Sequence, residues 1–329
     1  MSTTARDSSP NTGTSASSDS VDGFDGVERA KVNGVEIAYE TFGDPTDPAI
    51  FLVMGLGTQM LAWPVEMCTA LADAGHYVVR YDNRDVGLST HIDKPVPSLP
   101  DMLLRRGTPY RISDLANDGF GLLEHLGIDR FHLVGVSMGG FIAQTMAIAQ
   151  PERIISLTLV MTSTGSRRVG RPTPATMRRL AVQTSVGSRE EAIESTLNTY
   201  RVIGSPKHID EDSMRVLTGL AYDRDPTQDG RQRQLAAILA QPDRTPALKR
   251  LKMPTLVIHG LGDPLVTPSG GLALAKAIPG STFVGYHGMG HDLPHSMWRE
   301  LNREILALID RSQAEPTAAK SSTPAVASD

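Results

Sequence analysis

Three side chains distant in the sequence have the types that nucleophilic attack on a carbonyl requires: Ser137, Asp263 and His291. A serine hydroxyl is a poor nucleophile at neutral pH, so it needs an imidazole base, and the imidazole needs a carboxylate to orient it. Ser137 sits in Gly135-Val136-Ser137-Met138-Gly139. Glycines two before and two after a serine suit a strained strand-to-helix turn, which would hold the hydroxyl at the positive end of a helix. The free Met138 amide at that helix start could then donate to an oxyanion, and a second amide is expected from Leu56 in Gly55-Leu56-Gly57.

Plainer readings compete. Asp263, followed by Pro264, also suits a turn in which its carboxylate caps its own backbone. His287, His291 and His295 recur at a spacing of four, which on a helix would suggest a metal site. Gly288, Gly290 and Pro294 argue against a helix there, so neither a metal nor a cofactor is expected. A dinucleotide fingerprint in the Gly55-Leu56-Gly57 loop fails because Met60 occupies the third glycine position.

These groups can meet only if the elements before them end on one edge. From about Val27 the chain alternates β-rich runs with helical patterns: a hairpin around Asn33 and Gly34, a buried strand at 49–55, a helix at 64–74 stopped by Gly75, and a strand at 77–82. A helix at 113–126, a strand at 131–136, a helix at 138–150 and a strand at 154–161 continue the pattern. Continuously apolar strands alternating with helices predict an α/β fold with a mostly parallel sheet covered on both faces. Ser137, Asp263 and His291 each directly follow such a strand, which places them outside the carboxyl ends. Between 165 and 248 the strand pattern stops and helical signals replace it, including a capping box from Ser188 to Glu191 and a stop at Gly204. Strands return at 255–260 and 281–286, before a last amphipathic helix carrying Trp298, Leu301, Ile305, Leu308 and Ile309. The expected organisation is a core of 25–165 and 248–311, a helical cap of 166–247, and disordered tails at 1–24 and 312–329.

In combination, VMGLG (53–57) with Trp63 downstream, RYDNRDVGLS (80–89), GVSMGG (135–140), GLGDP (260–264) and GMGHDLP (288–294) resemble the α/β-hydrolase fold serine hydrolases with a helical cap. Within them the chain is most similar to the aclacinomycin methylesterase-like actinobacterial esterases. The resemblance implies Ser137 as nucleophile, His291 as base, Asp263 as acid, and Leu56 with Met138 as oxyanion amides. It also implies that Asp82, Arg84 and Asp85 are structural, tying the loop after a strand into the sheet edge. Met54 departs from the histidine that many members carry before the oxyanion-loop glycine, and Met161 to Gly165 lacks the carboxylate that some relatives place there.

The function this predicts is cleavage of a small-molecule carboxylic ester through an acyl-enzyme. A cofactor-free haloperoxidase or perhydrolase would use the same triad, and a non-catalytic hydrolase-like binding protein is the reading from another class. Dehalogenases and epoxide hydrolases of this fold need a carboxylate where Ser137 stands. With 40% hydrophobic and 21% charged residues and a net charge of −5, the chain has a soluble composition with nothing that points to nucleic acid. Arg168, Arg171, Arg178 and Arg179 read as solvated charges. The single cysteine, Cys68, excludes an internal disulfide and reads as a small buried hydrophobe. No run approaches the length of a membrane span, a cytoplasmic location is expected, and no motif specifies an oligomeric state.

Overall fold

Asn33 and Gly34 both adopt positive φ, 50° and 78°, the geometry of a two-residue hairpin turn, and so join β1 (Glu28–Val32) to β2 (Val35–Phe42) as an antiparallel pair. The computed structural model describes residues 26–314 except 181–186 and 228, so the expectations for tails at 1–24 and 315–329 lie outside the described residues. After the hairpin come β3 (Ala49–Val53), β4 (Tyr77–Tyr81), β5 (Phe131–Val136), β6 (Ile154–Val160), β7 (Thr255–Gly260) and β8 (Thr282–Tyr286). Among the described residues they form one eight-stranded sheet in the order β1-β2-β4-β3-β5-β6-β7-β8. β2 runs antiparallel to β4, and all later pairings are parallel.

Strand alternation divides the core between two faces. Phe51, Val53, Val79 and Leu133 point to one side, against α3 (Ile112–His125) and α4 (Met138–Ala149). Ile50, Leu52, Val78 and Val134 point to the other, against α1 (Val65–Ala72) and the last helix. Because helices cover both faces, β3, β4, β5 and β7 are buried at every residue, which is why they read as mainly apolar runs, interrupted by Arg80, His132 and His259. Cys68 lies in this second core, fully buried, and burial pushes its thiol up to about 12, so it behaves as the small hydrophobe its spacing predicts.

Further helices complete the chain: α2 (Leu99–Leu103), α5 (Pro174–Leu180), α6 (Arg189–Ile203), α7 (Glu211–Arg224), α8 (Asp229–Ala240), α9 (Thr245–Leu248), α10 (Ser269–Ala277) and α11 (Trp298–Ala314). The segment between β6 and β7 carries α5 to α9, and Arg168, Arg171, Arg178 and Arg179 are exposed on it. Three details differ from the sequence reading. The Ser188 hydroxyl accepts from the Glu191 amide, but the Glu191 carboxylate takes the Gly187 amide at 2.7 Å in place of the Ser188 amide, so the capping box is half formed. α10 has no counterpart in the reading, because it opens on Ser269-Gly270-Gly271, a weak helix start. α11 continues through Ala314, with the Ser312 hydroxyl turned back onto the Ile309 carbonyl at 2.6 Å.

Candidate active site

β5 ends at Val136, and Ser137 turns the chain into α4 with φ 55° and ψ −114°, a conformation that non-glycine residues rarely hold. Close packing imposes this turn. A Cβ on Gly135 would stand 2.4 Å from the Gly139 carbonyl oxygen, and one on Gly139 would stand 2.1 Å from that of Val53. The turn is also anchored: the Ser137 amide donates to the Val160 carbonyl at 2.9 Å, and the Thr162 hydroxyl donates to the Ser137 carbonyl at 2.8 Å.

The three side chains converge. His291 Nε2 lies 3.0 Å from Ser137 Oγ, and His291 Nδ1 lies 2.7 Å from Asp263 Oδ2. An acceptor on Nδ1 requires the proton there, which leaves Nε2 free to accept from the serine hydroxyl. Asp263 is 2% exposed, and its other oxygen accepts the Leu265 and Val266 amides, each at 2.9 Å. The turn role weighed for Asp263 is therefore real and compatible with the triad, since one oxygen serves the turn and the other the imidazole. His295 instead sets its ring edge-on to Trp298, and His287 is exposed, so the three histidines spaced by four go to three different places.

The oxyanion amides predicted from sequence flank the serine. A Cβ on Gly55 would come within 3.2 Å of the Ser137 Cβ, so the loop after β3 lies against Ser137, with Leu56 next in sequence. Among the described residues neither the Leu56 nor the Met138 amide is taken up by a protein acceptor.

Residues that the sequence reading did not single out support this arrangement. Beneath Asp263, buried His259 puts Nε2 2.7 Å from the Val266 carbonyl and 3.6 Å from Asp263 Oδ2; burial pushes its pKa down, outweighing the Val266 hydrogen bond and the nearby Asp263 charge, so it is a neutral imidazole. The His291 amide donates 2.7 Å to the Ile203 carbonyl at the end of α6. Asp292 accepts the Ser205 amide at 3.0 Å and the Ser205 hydroxyl, and that hydroxyl accepts the Gly290 amide at 2.8 Å. Asp292 stands beside His291 in sequence, which was the one local hint of this clamp.

Asp82, Arg84 and Asp85 reach farther than the sheet edge to which the resemblance assigned them. Asp82 accepts the Met60 amide at 2.7 Å and the Leu88 amide at 3.0 Å, and pairs with Arg224 of α7 at 3.0 Å. Arg84 makes two 2.6 Å bonds to Asp118. Asp85 takes a two-pronged pair from Arg233 of α8 at 3.0 and 2.8 Å, together with the Tyr110 hydroxyl at 2.6 Å. Gln234 of α8 accepts the Gly57 amide at 2.7 Å and donates to the Arg84 carbonyl at 2.9 Å. The loop after β4 thus fastens α7 and α8 beside the loop that carries Leu56.

Known proteins share this architecture. The rhodomycin D methylesterases of Streptomyces sp. (strain C5) and Streptomyces peucetius are each 30% identical to this chain, over 82% of it and 93% of their own length. The enol-lactonase from Burkholderia xenovorans LB400 superposes with a TM-score of 0.68 at 26% identity, covering 86% of this chain and 100% of that one. Residues 48–296 match the family model for the alpha/beta hydrolase fold, and with more than half of its length accounted for in this way, the chain belongs to the alpha/beta hydrolase family.

Proposed function

We propose that Ser137, His291 and Asp263 carry out the carboxylic ester hydrolysis that this enzyme shares with its relatives, through a covalent acyl-enzyme. The observation that carries the reading is the unbroken relay from Ser137 Oγ to His291 Nε2, 3.0 Å, and from His291 Nδ1 to Asp263 Oδ2, 2.7 Å. As Oγ attacks the ester carbonyl, Nε2 takes its proton, and buried Asp263 stabilises the resulting imidazolium. The Leu56 and Met138 amides receive the oxyanion without reorganising, since no other acceptor competes for them among the described residues. The imidazolium returns its proton to the departing alkoxide. The neutral imidazole then takes a proton from a water that attacks the acyl-serine, and returns it to Ser137 Oγ as the acid leaves, which restores the hydroxyl.

In this reading the helices of 166–247 cap the site, supported by the bonds from His291 to Ile203 and from Gly57 to Gln234. The substrate is a small-molecule ester. Ser137→Ala tests the assignment: turnover of a p-nitrophenyl ester should fall by about a thousandfold or more, with loss of labelling by a fluorophosphonate probe. Wild-type activity in that variant would overturn it.

A further inference from the structure

Three arginines of α7 and α8 approach the loops around the site, and two of them have carboxylate partners: Arg224 pairs with Asp82 and Arg233 with Asp85. Arg231 has none. Among the described residues its guanidinium makes no ion pair and no hydrogen bond, although it is held against the loop that carries Leu56. A Cβ on Gly57 would fall 2.7 Å from Arg231 Cγ and 2.9 Å from Cδ, so the arginine stem lies across a glycine whose φ of +60° already excludes most side chains. Three residues on, Gln234 accepts the Gly57 amide at 2.7 Å, which fixes this stretch of α8 on the loop.

Arg231 is exposed. Surrounding protein nevertheless pulls its pKa below the ordinary arginine value, with the neighbouring Tyr200 acting in the opposite sense. Tyr200 of α6 is half-buried, and its hydroxyl also has no hydrogen-bond partner among the described residues. Among the described residues Asp292 makes no ion pair with Arg231, and its two oxygens take the amide and hydroxyl of Ser205. Leu235, 38% exposed, lies one turn beyond Arg231 on the same side of α8 and adds apolar surface beside the charge.

We propose that Arg231 and the Tyr200 hydroxyl form an anion-recognising subsite, so that the favoured substrate is an ester carrying a second, free carboxylate. The inference rests on the acyl-enzyme reading above. A planar guanidinium matches a carboxylate in two-pronged geometry, and the contact of the Arg231 stem with Gly57 sets this one beside the loop that carries Leu56. The aliphatic segment between the two ends of such a substrate would lie along the apolar surface at Leu235.

Monomethyl adipate and methyl hexanoate, equal in chain length and differing in the carboxylate, provide the test. Wild-type kcat/KM should favour monomethyl adipate by about ten- to hundredfold, the range of a hydrogen bond to a charged group, and monomethyl adipate should better slow fluorophosphonate labelling of Ser137. In Arg231→Met the ratio should collapse toward one, and Arg231→Lys should recover part of it. A wild-type ratio at or below one, equal protection by the two esters, or an unchanged ratio in Arg231→Met would overturn the proposal. The wild-type comparison decides even if the variants fail to fold. A probe-labelled, ester-cleaving enzyme without the preference removes the subsite alone, whereas absence of labelling removes the acyl-enzyme reading.

Discussion

The sheet with its flanking helices and the helices α7 and α8 are held in place by different physics. In the first region burial is mainly apolar and continuous: β3, β4, β5 and β7 are buried throughout, and α4 brings Phe141, Ile142 and Met146 into the same core. In the second, α7 buries only Gly219 and Arg224, and α8 buries Gly230, Arg233, Gln234, Ala236 and Ala237. Apolar burial is strong but has no direction, so it stabilises without specifying a unique docking position. The pairs from Arg224 to Asp82 and from Arg233 to Asp85 are directional, and they set where α7 and α8 sit on the loop after β4. Stability comes mainly from one region, and placement from the joint between the two.

If the chemistry belongs to the sheet edge, Asp263→Asn should lower kcat by about ten-thousandfold, because the amide favours the wrong imidazole tautomer. Thermal unfolding should change far less than the rate, and a variant that loses stability and rate together would show that the site and the core are not separable in this way. Arg224→Met probes the joint. It leaves Asp82 buried with the Met60 and Leu88 amides alone, a loss of about 3–5 kcal/mol in urea unfolding. Limited proteolysis should cut first within 166–247, and initial cleavage within the strands would contradict the division.

Acid should act on the core. His132 is buried between Ser156 and the ring of His76, and burial, followed by the His76 charge, pushes its pKa down to about 4 from an ordinary 6.5. The unfolded chain therefore binds the proton first as pH falls. The resulting stability, about 3 kcal/mol, is complete above pH 6.5 and is lost progressively down to pH 4. His132→Leu should flatten urea midpoints across that window, and an unchanged slope would exclude this histidine as the cause. The smallest effect is Ser188→Ala, about 1 kcal/mol from the lost cap of α6, seen as faster hydrogen exchange in the first turn of α6.

Much of this was legible from residue order. The runs at 131–136 and 255–260 coincide with strands, and Gly135, Ser137 and Gly139 mark the elbow because backbone crowding there leaves no room for side chains. Asp263 and His291 could be assigned because each directly follows an apolar strand, so topology alone brings them to Ser137. The joint was not legible. Asp82 is separated from Arg224 by 142 residues and Gly57 from Gln234 by 177, and an arginine on a polar helix looks the same whether it meets solvent or a buried carboxylate. His259 was hidden for a related reason: inside the apolar run Thr255–Gly260, nothing local indicates that its imidazole will lie under Asp263.

The bond from the His291 amide to the Ile203 carbonyl, with the clamp of Asp292 on Ser205, has a practical consequence for making chimeras. Replacing the whole of 166–247 with the corresponding stretch of another hydrolase would remove the ledge on which His291 rests, so, if His291 is the base proposed above, a graft aimed only at selectivity would also disturb turnover. A recombination boundary placed after Ser205 would leave α6 and its ledge native while exchanging α7 and α8. Such a library would vary α7 and α8 while leaving the support of His291 in place.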